Sequence, residues 1–273
     1  MPVPPATLDA IAADLLSHFG DGQELGRTTD RYPDFTLDDG YAVAHRIRDL
    51  RRARGETPVG RKIGGTNPAI YHLTGATGPS WGFMYDSTVH ALLDGEGSFA
   101  LGAFRQPRIE PELVLHLCAA PKAGMDETAL LGCVDRVAHG FEIVHSPFSD
   151  WKVRPPDAVA SFGMHQALLI GPWHDVSDDR AAWGQTLKNF TVSLRNGADI
   201  ERHGTGANAL GTPVLALGAI VEDIARHPDW TPLAAGEIVT TGTLTELMPV
   251  APGDVWTTTI GGPPLTGLRV SFT

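Results

Sequence analysis

The stretch PRIEPELVLHL, residues 107–117, raises the first question about this chain. Its second half has the aliphatic composition of a buried strand, yet Glu110 and Glu112 stand one residue apart within it. Side chains alternate between the two faces of a strand, so both carboxylates point to the same face. Two like charges on one face repel each other, and burying either one unpaired is costly. Solvent, basic partners, a shared proton or a metal ion could each compensate.

The composition of the whole chain narrows the possible functions. With 273 residues, 42% hydrophobic and 19% charged, it suits one large soluble domain, or one domain with a helical extension. The net charge of −11 argues against nucleic acid or an anionic membrane as a partner. No apolar run reaches the roughly 18 residues of a membrane span, and the N-terminus lacks signal-peptide features. We therefore expect a cytoplasmic protein, as the two cysteines without a CxxC motif also indicate.

Local patterns predict an α+β fold. Apolar residues at helical spacing over 8–19 and 37–54, the second with Thr36 as its N-cap, predict an N-terminal helical region over 1–57. From residue 58 onward, short apolar runs between Gly and Pro predict strands, with helices at about 126–137, 178–188 and 213–226. Long βα alternation is lacking, so we expect a catalytic domain over 58–273 built as a mixed β-roll or sandwich with peripheral helices.

A third acid, Glu142, lies in the middle of another predicted strand, GFEIVHS. Three carboxylates from two strands would give Mg²⁺ or Mn²⁺ the oxygen ligands that these ions prefer, and the cation would remove the repulsion between Glu110 and Glu112. The alternative is an ordinary solvated strand face, where Glu-x-Glu is common. Pro111 cannot donate a ladder hydrogen bond, so it predicts an edge or irregular strand.

Lys62, in the stretch VGRKIGG, is the other candidate. In a regular strand Val59, Arg61 and Ile63 share one face and Lys62 takes the other, and Gly64 and Gly65 allow a ligand to approach the backbone. An exposed lysine on a two-sided strand explains the pattern equally well. The histidines show no HxH or HExxH spacing, and no GxSxG elbow indicates a serine hydrolase.

Five stretches in order carry a family resemblance: GRKIGGTN, PRIEPELVLHL, GFEIVHSPFSDWK, LGTPVLALGAIVEDI and GEIVTTGTLTELMPVAPGD. They resemble the hydratase and decarboxylase branch of the fumarylacetoacetate hydrolase superfamily, over nearly the whole chain. That branch includes 2-hydroxypenta-2,4-dienoate (2-oxopent-4-enoate) hydratase and 4-oxalocrotonate decarboxylase, from the degradation of aromatics.

The resemblance implies roles for particular residues. Glu110, Glu112 and Glu142 would bind Mg²⁺ or Mn²⁺, which chelates a small 2-oxo acid, and Lys62 would assist proton transfer. The segment Thr241, Gly242 and Thr243 would lie beside the substrate. The resemblance also implies a homo-oligomer.

The chain departs from the family pattern in the substrate pocket. Where hydratases carry an aspartate, this chain has Ser80, with Asp86 slightly downstream as a substitute. Where they carry an Asn- and Ser-rich segment, it has DAVASFGMHQ, which leaves Ser161 and His165 as the polar groups. Neither departure touches the three acids.

The leading hypothesis is a metal-dependent hydro-lyase that adds water to a small 2-hydroxydienoate or 2-oxo-enoate. Ketonisation would deliver a proton to C5, and water would then add at C4, with Lys62 as acid or base. A 4-oxalocrotonate-type decarboxylase and an acylpyruvate-type C–C hydrolase remain as alternatives. A catalytically silent relative that binds a small acid or serves in a complex is the alternative outside enzymes.

Overall fold

The computed structural model describes residues 3–67, 71, 76–262 and 264–273 of the chain. Within these ranges the chain begins with helices and continues as two β-sheets with helices between the strands. The α-helices are α1 (Pro5–Ser17), α2 (Thr28–Arg31), α3 (Leu37–Ala53), α4 (Glu127–Gly132), α5 (Pro155–Ala160), α6 (Arg180–Asn189) and α7 (Pro213–Ala225). The predicted α+β class is thus confirmed.

The strands divide between the two sheets. The larger sheet contains β1 (Pro58–Gly64), β2 (Ser80–Tyr85), β3 (Val89–Ala91), β5 (Arg108–Leu117), β6 (Val134–Val144), β7 (His165–Ile170), β8 (His174–Asp175), β11 (Ile238–Thr243) and β12 (Met248–Pro249). The smaller sheet contains β4 (Glu96–Phe99), β9 (Thr191–Asn196), β10 (Ile200–Thr205), β13 (Val255–Gly261) and β14 (Arg269–Phe272). Most neighbouring strands are antiparallel, while β1 and β11, β3 and β7, and β4 and β14 run parallel.

The larger sheet is curled. Its main path runs β2-β1-β11-β5-β6-β7-β3, so β2 and β3 stand at its two ends. A flat sheet of that width would hold its edges about 29 Å apart, at about 4.8 Å between strands. Residues 86–88, which join β2 to β3, can span only about 13 Å. The sheet must therefore curl, and Leu168 on β7 donates a backbone hydrogen bond to Thr88 in this connection.

The two faces of the larger sheet have different surroundings. One face packs on α7 and on the smaller sheet. Leu113 and Leu217 belong to one apolar cluster, and Phe141 and Trp256 belong to another. The opposite, concave face carries the small cluster of Met84, Val114, Ala138, Leu168, Ile170 and Ile238. Because positions alternate along β5 and β6, Glu110, Glu112 and Glu142 fall on this second face.

The N-terminal helices follow their local sequence. Thr36 forms a capping box with Asp39 at the start of α3, as its position before the apolar pattern predicts. Helix α1 begins at Pro5, three residues before the start predicted at residue 8, with Pro5 in its first turn. Its buried residues pack with Val43 and Ile47 of α3.

Two predictions about local structure, one about a helix and one about a strand, are wrong in part. The helix predicted over 126–137 ends at Gly132, because Val134–Val144 joins the sheet as β6. Pro111 does not lie on an edge strand, since β5 pairs with β11 on one side and β6 on the other. The strand is nevertheless irregular there, because the β11 register shifts between Thr240 and Thr243.

Val59 also departs from the predicted alternation. A register shift between Pro58 and Gly60 places it against the apolar cluster of the concave face, while Ile63 packs in the cluster on the other face.

Among the described residues, one helical stretch, Gly206–Ala225, has the length and composition of a membrane span, and half of it is buried inside the protein. The core helix of a folded domain meets the same criterion, and α7 is such a helix.

Candidate metal centre

The three acids converge because β5 and β6 pair in one register. Glu110 lies directly opposite Glu142, and Glu112 follows two residues along the same face. One carboxylate oxygen from each lies within 4.8 Å of the others. Glu112 and Glu142 are fully buried, and Glu110 is half-buried. A solvated strand face, the alternative that the spacing allowed, does not describe these side chains.

Glu112 is held by an irregular segment of β11. The register shift between Thr240 and Thr243 turns the Gly242 N–H toward Glu112, and it donates a hydrogen bond of 2.8 Å to Oε2. Gly242 has φ +93°, and a Cβ there would stand 2.0 Å from Thr66 Oγ1. Only glycine fits this position. The other oxygen, Glu112 Oε1, is buried with no hydrogen-bond partner among the described residues.

Lys62 reaches the cluster from β1. Its Nζ lies 3.3 Å from Glu142 Oε2, and its side chain is 5% exposed. Arg61 points to the opposite face, where its guanidinium carbon lies 4.1 Å from the centre of the Phe83 ring. The segment after α5 covers the stem of Lys62, because a Cβ at Gly163 would lie 3.1 Å from Lys62 Cδ. The structure therefore places Lys62 in the site and not on a solvated strand face.

Burial dominates the electrostatics of the acids. It raises the pKa of Glu142 to about 7 and that of Glu110 above its ordinary value, despite the opposing charge of Lys62. The pKa of Glu112 is raised well above its ordinary value by burial, and then by the charges of Glu142 and Glu110. Without a cation, some of these carboxyl groups hold protons at neutral pH.

The pKa of Lys62 is also raised, but here the neighbouring charges together have a larger effect than burial. Burial alone would lower it, but the charges of the three acids outweigh burial and raise the pKa. The buried positive charge of the ammonium group therefore depends on the carboxylates. Three carboxylates with hard oxygen donors, including the buried and unbonded atoms Glu112 Oε1 and Glu142 Oε2, fit a divalent cation such as Mg²⁺, which would displace the protons.

His165 completes the surroundings of Glu142. Its Nδ1 lies 2.8 Å from Glu142 Oε1, and its Nε2 lies 3.0 Å from Thr88 Oγ1. Burial, followed by the charges of Lys62, Arg51 and His90, holds the His165 pKa well below its ordinary value, so the ring is neutral. Sequence reasoning named His165 only as a polar group, because the contact arises from strand pairing and not from a recognisable spacing.

The predicted substrate-side residues lie around the cluster in different ways. Ser80 faces Gly64 across β1 and β2, and the position of a Cβ on Gly64 would be 3.4 Å from Lys62 Nζ and 4.0 Å from Ser80 Oγ. Ser161 is buried at the end of α5. The residues that follow it, Phe162 to Met164, all adopt positive φ, a local strain that the sequence pattern did not predict.

Within the segment 241–243, the hydrogen bond to a carboxylate of the cluster comes from Gly242, while Thr243 lies opposite Glu112 in the strand pairing. The Thr241 hydroxyl donates to the Leu113 carbonyl, and the Thr243 hydroxyl donates to the Thr245 carbonyl. Thr240, which sequence reasoning passed over, accepts a hydrogen bond from Ile63 N–H and also interacts with Glu112.

Asp86 does not replace the missing aspartate. It lies just past the far end of β2 from Ser80, a separation of about 20 Å at about 3.3 Å per residue. There its carboxylate accepts a hydrogen bond from Thr57 N–H. His116 shares the strand parity of Glu110 and Glu112, but it pairs with Asp135 away from the cluster. Lys152 is exposed beside Asp150.

Two hydratases have sequences similar to that of this chain over most of its length. The chain is 30% identical over 242 residues to the 2-hydroxyhexa-2,4-dienoate hydratase of Comamonas testosteroni, covering 87% of this chain and 88% of that protein. It is 28% identical over 265 residues to the 2-keto-4-pentenoate hydratase of Paraburkholderia xenovorans (strain LB400), covering 94% and 93%. No family model matches the chain.

Among solved structures, the fold is similar to that of the 4-oxalocrotonate decarboxylase from Pseudomonas putida G7, complexed with magnesium and adipate. The TM-score is 0.90 at 24% sequence identity, and the match covers 100% of this chain and 99% of that one. The similarity includes the N-terminal helices as well as both sheets, because it spans the full length of both proteins.

Proposed function

The chain belongs to the hydratase and decarboxylase branch of the fumarylacetoacetate hydrolase superfamily, and from this membership we propose that it is a lyase, a divalent-metal-dependent hydratase. Its substrate in this proposal is a small 2-hydroxydienoate or 2-oxo-enoate of the 2-oxopent-4-enoate type. The observation that carries the proposal is the buried convergence of Glu110, Glu112 and Glu142 beside Lys62.

We assign Glu110, Glu112 and Glu142 as the ligands of one Mg²⁺ or Mn²⁺. The assignment is supported by the unsatisfied Glu112 Oε1 and by the raised pKa of all three carboxyl groups, both of which a cation would relieve. A bound divalent cation supplies Lewis acidity and a fixed chelation point for the 2-oxo acid. The Gly242 N–H holds Glu112 in place.

Lys62 acts as the acid–base group in this proposal. Once the three carboxylates are engaged, their charges no longer raise the Lys62 pKa, and burial then lowers it toward the range where an amine gives and takes protons at neutral pH. Lys62 would hold the proton that is delivered to C5 of the dienol. It would also handle the proton of the water that adds at C4.

Small, neutral groups would form the rest of the pocket. Ser80 and Ser161 can hold a water molecule or a polar substrate end without adding charge. We place the segment Thr241, Gly242 and Thr243 at the substrate, with the backbone of Gly242 as its main contribution. These properties favour a substrate with a single carboxylate.

The domain organisation, the cellular location and the partners of the protein are proposed from the same family membership. The curled larger sheet with the smaller sheet is interpreted as the β-roll of a catalytic domain over 58–273, and residues 1–57 as an N-terminal helical region. We also propose that the protein is a cytoplasmic homo-oligomer whose partner is the small-acid substrate, without nucleic acid or membrane.

The test is a substrate comparison with purified protein and Mg²⁺ or Mn²⁺. 2-Hydroxypenta-2,4-dienoate and 4-oxalocrotonate are offered separately, the loss of dienol absorbance is followed, and the 4-hydroxy-2-oxo acid and CO₂ are assayed. The proposal predicts a hydrated product from the monoacid. CO₂ from the diacid without hydration of the monoacid would identify a decarboxylase, and turnover of neither would favour a silent relative.

A further inference from the structure

A bulge between β6 and β7 places His165 beside Glu142. Ile143 pairs with Ala167, but Val144 pairs with His165, so Gln166 is an extra residue in the ladder. In a regular ladder Val144 would face Gln166, and the His165 side chain would point to the face opposite Glu142. The bulge turns His165 to the same face as the carboxylate.

The hydrogen bonds that follow have one direction when the Glu142 carboxylate is ionised, as it would be with a cation bound. Its Oε1 can then only accept, so the proton of the neutral ring lies on His165 Nδ1, 2.8 Å away. His165 Nε2 then accepts from the Thr88 hydroxyl at 3.0 Å. The same hydroxyl accepts from Tyr85 N–H at 3.2 Å. The Tyr85 carbonyl, 3.2 Å from the Thr88 hydroxyl, is a second acceptor, but among the described residues this hydroxyl is the donor within reach of His165 Nε2. The participating side chains are buried.

This chain of hydrogen bonds distinguishes the two oxygens of Glu142. Oε1 is engaged by His165, whereas Oε2 has no hydrogen bond and lies 3.3 Å from Lys62 Nζ. A carboxylate with one oxygen fixed cannot rotate freely, so Oε2 stays directed toward Glu110, Glu112 and Lys62. Such outer hydrogen bonds commonly orient metal-binding carboxylates and raise metal affinity.

We propose that Thr88 and His165 are positioning residues that orient Glu142 for divalent-cation binding through Oε2. The inference rests on the proposed function, because it assigns the cation to the cluster of Glu110, Glu112 and Glu142. It extends that function to two residues that do not contact the cation or the substrate.

His139 and Thr258 form a second buried pair of a histidine and a threonine, and this pair provides a control for His165 and Thr88. His139 is as buried as His165, and its Nε2 lies 2.9 Å from Thr258 Oγ1, which accepts from Leu268 N–H at 2.9 Å. The His139 Nδ1, however, bonds to the backbone carbonyl of Glu112 and not to a carboxylate. Replacing Thr258 therefore removes an equivalent buried hydroxyl without altering the Glu142 side chain.

The experiment measures Mn²⁺ affinity by calorimetry in wild type, Thr88→Val, Thr88→Ser, His165→Phe and Thr258→Val. We expect Mn²⁺ binding to weaken about 10- to 100-fold in His165→Phe and about tenfold in Thr88→Val. Thr88→Ser, which keeps the hydroxyl, and Thr258→Val should stay within about threefold of wild type. Thr88→Val is nearly isosteric, so it keeps the test informative if His165→Phe does not fold.

A second readout is the tautomer of His165, read from ¹⁵N resonances in Mg²⁺-loaded protein and assigned by comparison with His165→Phe. The proposal predicts a proton on Nδ1 in wild type and a mixture of tautomers in Thr88→Val. Wild-type Mn²⁺ affinity in both Thr88→Val and His165→Phe, or a proton on Nε2 in wild type, would overturn the positioning role and leave the proposed function intact. Failure of the wild-type protein itself to bind Mn²⁺ would overturn both.

Discussion

Lys62 and Glu142 form an ion pair inside the protein, with Nζ 3.3 Å from Oε2 and 5% and 0% of the two side chains exposed. A buried pair of this kind seldom adds much stability, because desolvating both charges offsets their attraction. Its position among two further carboxylates is therefore better explained by function. The pair joins the proposed proton-transfer group, Lys62, to a group of candidate metal ligands.

Replacing Lys62 by arginine should separate charge from proton transfer. Arginine keeps the positive charge, but its pKa is too high for it to exchange protons near neutral pH. We expect turnover to fall about 10²- to 10⁴-fold, with Mn²⁺ affinity changed much less. Steady-state kinetics and calorimetry on Lys62→Arg, with the exposed Lys152→Arg as control, check this. Near-wild-type turnover in Lys62→Arg would remove Lys62 from the mechanism.

Glu142→Gln should stabilise the metal-free protein at alkaline pH. The pKa of Glu142 is raised from 4.5 to about 7 on folding, so the folded state holds a proton that the unfolded state has lost between these values. Ionisation of Glu142 therefore lowers the free energy of unfolding as the pH rises through this window, and the full loss is present above about pH 7. We expect Glu142→Gln to raise the free energy of unfolding at pH 8 by about 1–3 kcal/mol.

At pH 4.5 and below, Glu142→Gln and wild type should have nearly equal stability. Urea unfolding of chelated protein at both pH values measures the effect, and the exposed Glu96→Gln serves as control. Mn²⁺ affinity should fall in Glu142→Gln, since the variant loses a charged ligand. A variant that is less stable than wild type at pH 8 would instead assign Glu142 a structural role.

Gly242→Ala should damage the metal centre by a local mechanism. The new Cβ would collide with Thr66 and displace the N–H that holds Glu112. We expect Mn²⁺ affinity to fall about tenfold or more, together with a loss of stability. Gly253→Ala is the control, because Gly253 has nearly the same φ, +95°, with no atom within 4 Å of its Cβ position. Equal Mn²⁺ affinity in both variants would contradict the role assigned to Gly242.

Arg108 tests the choice between one and two substrate carboxylates. It lies on the same face of β5 as Glu110, and its guanidinium carbon is 4.4 Å from the centre of the Trp151 ring. None of the ion pairs among the described residues includes Arg108. Arg154 is already bonded to Thr29 and Asp30. Of these two arginines, Arg108 is therefore the one that could bind a second carboxylate.

For a monoacid hydratase, Arg108→Gln should leave kcat/KM for 2-hydroxypenta-2,4-dienoate within about threefold. Any turnover of 4-oxalocrotonate should fall about tenfold or more, a loss of about 1.4 kcal/mol in binding. Kinetics with both substrates, and Arg154→Gln as control, measure the difference. A large loss with the monoacid alone would reverse this assignment of Arg108.

The three acids could be proposed as a cluster from the sequence, but the contacts that hold their side chains in place could not, for a physical reason. Alternation along a strand is local, so it placed Glu110 and Glu112 on one face, and the mid-strand position of Glu142 suggested a third ligand. The contacts of Gly242 and His165 depend on register shifts in β11 and β7, and the spacing of residues in the sequence does not predict these shifts. The failure at Asp86 has the same origin, because sequence distance cannot show that a full strand separates it from Ser80.

The central claim is that Glu110, Glu112 and Glu142 bind one divalent cation. Calorimetric titration of Mn²⁺ into metal-free protein tests it most directly, with wild type compared with the variant in which all three are replaced by glutamine. The account predicts one ion per chain in wild type and no detectable binding in the folded triple variant. Equal Mn²⁺ binding in the two proteins, or none in wild type, would contradict it.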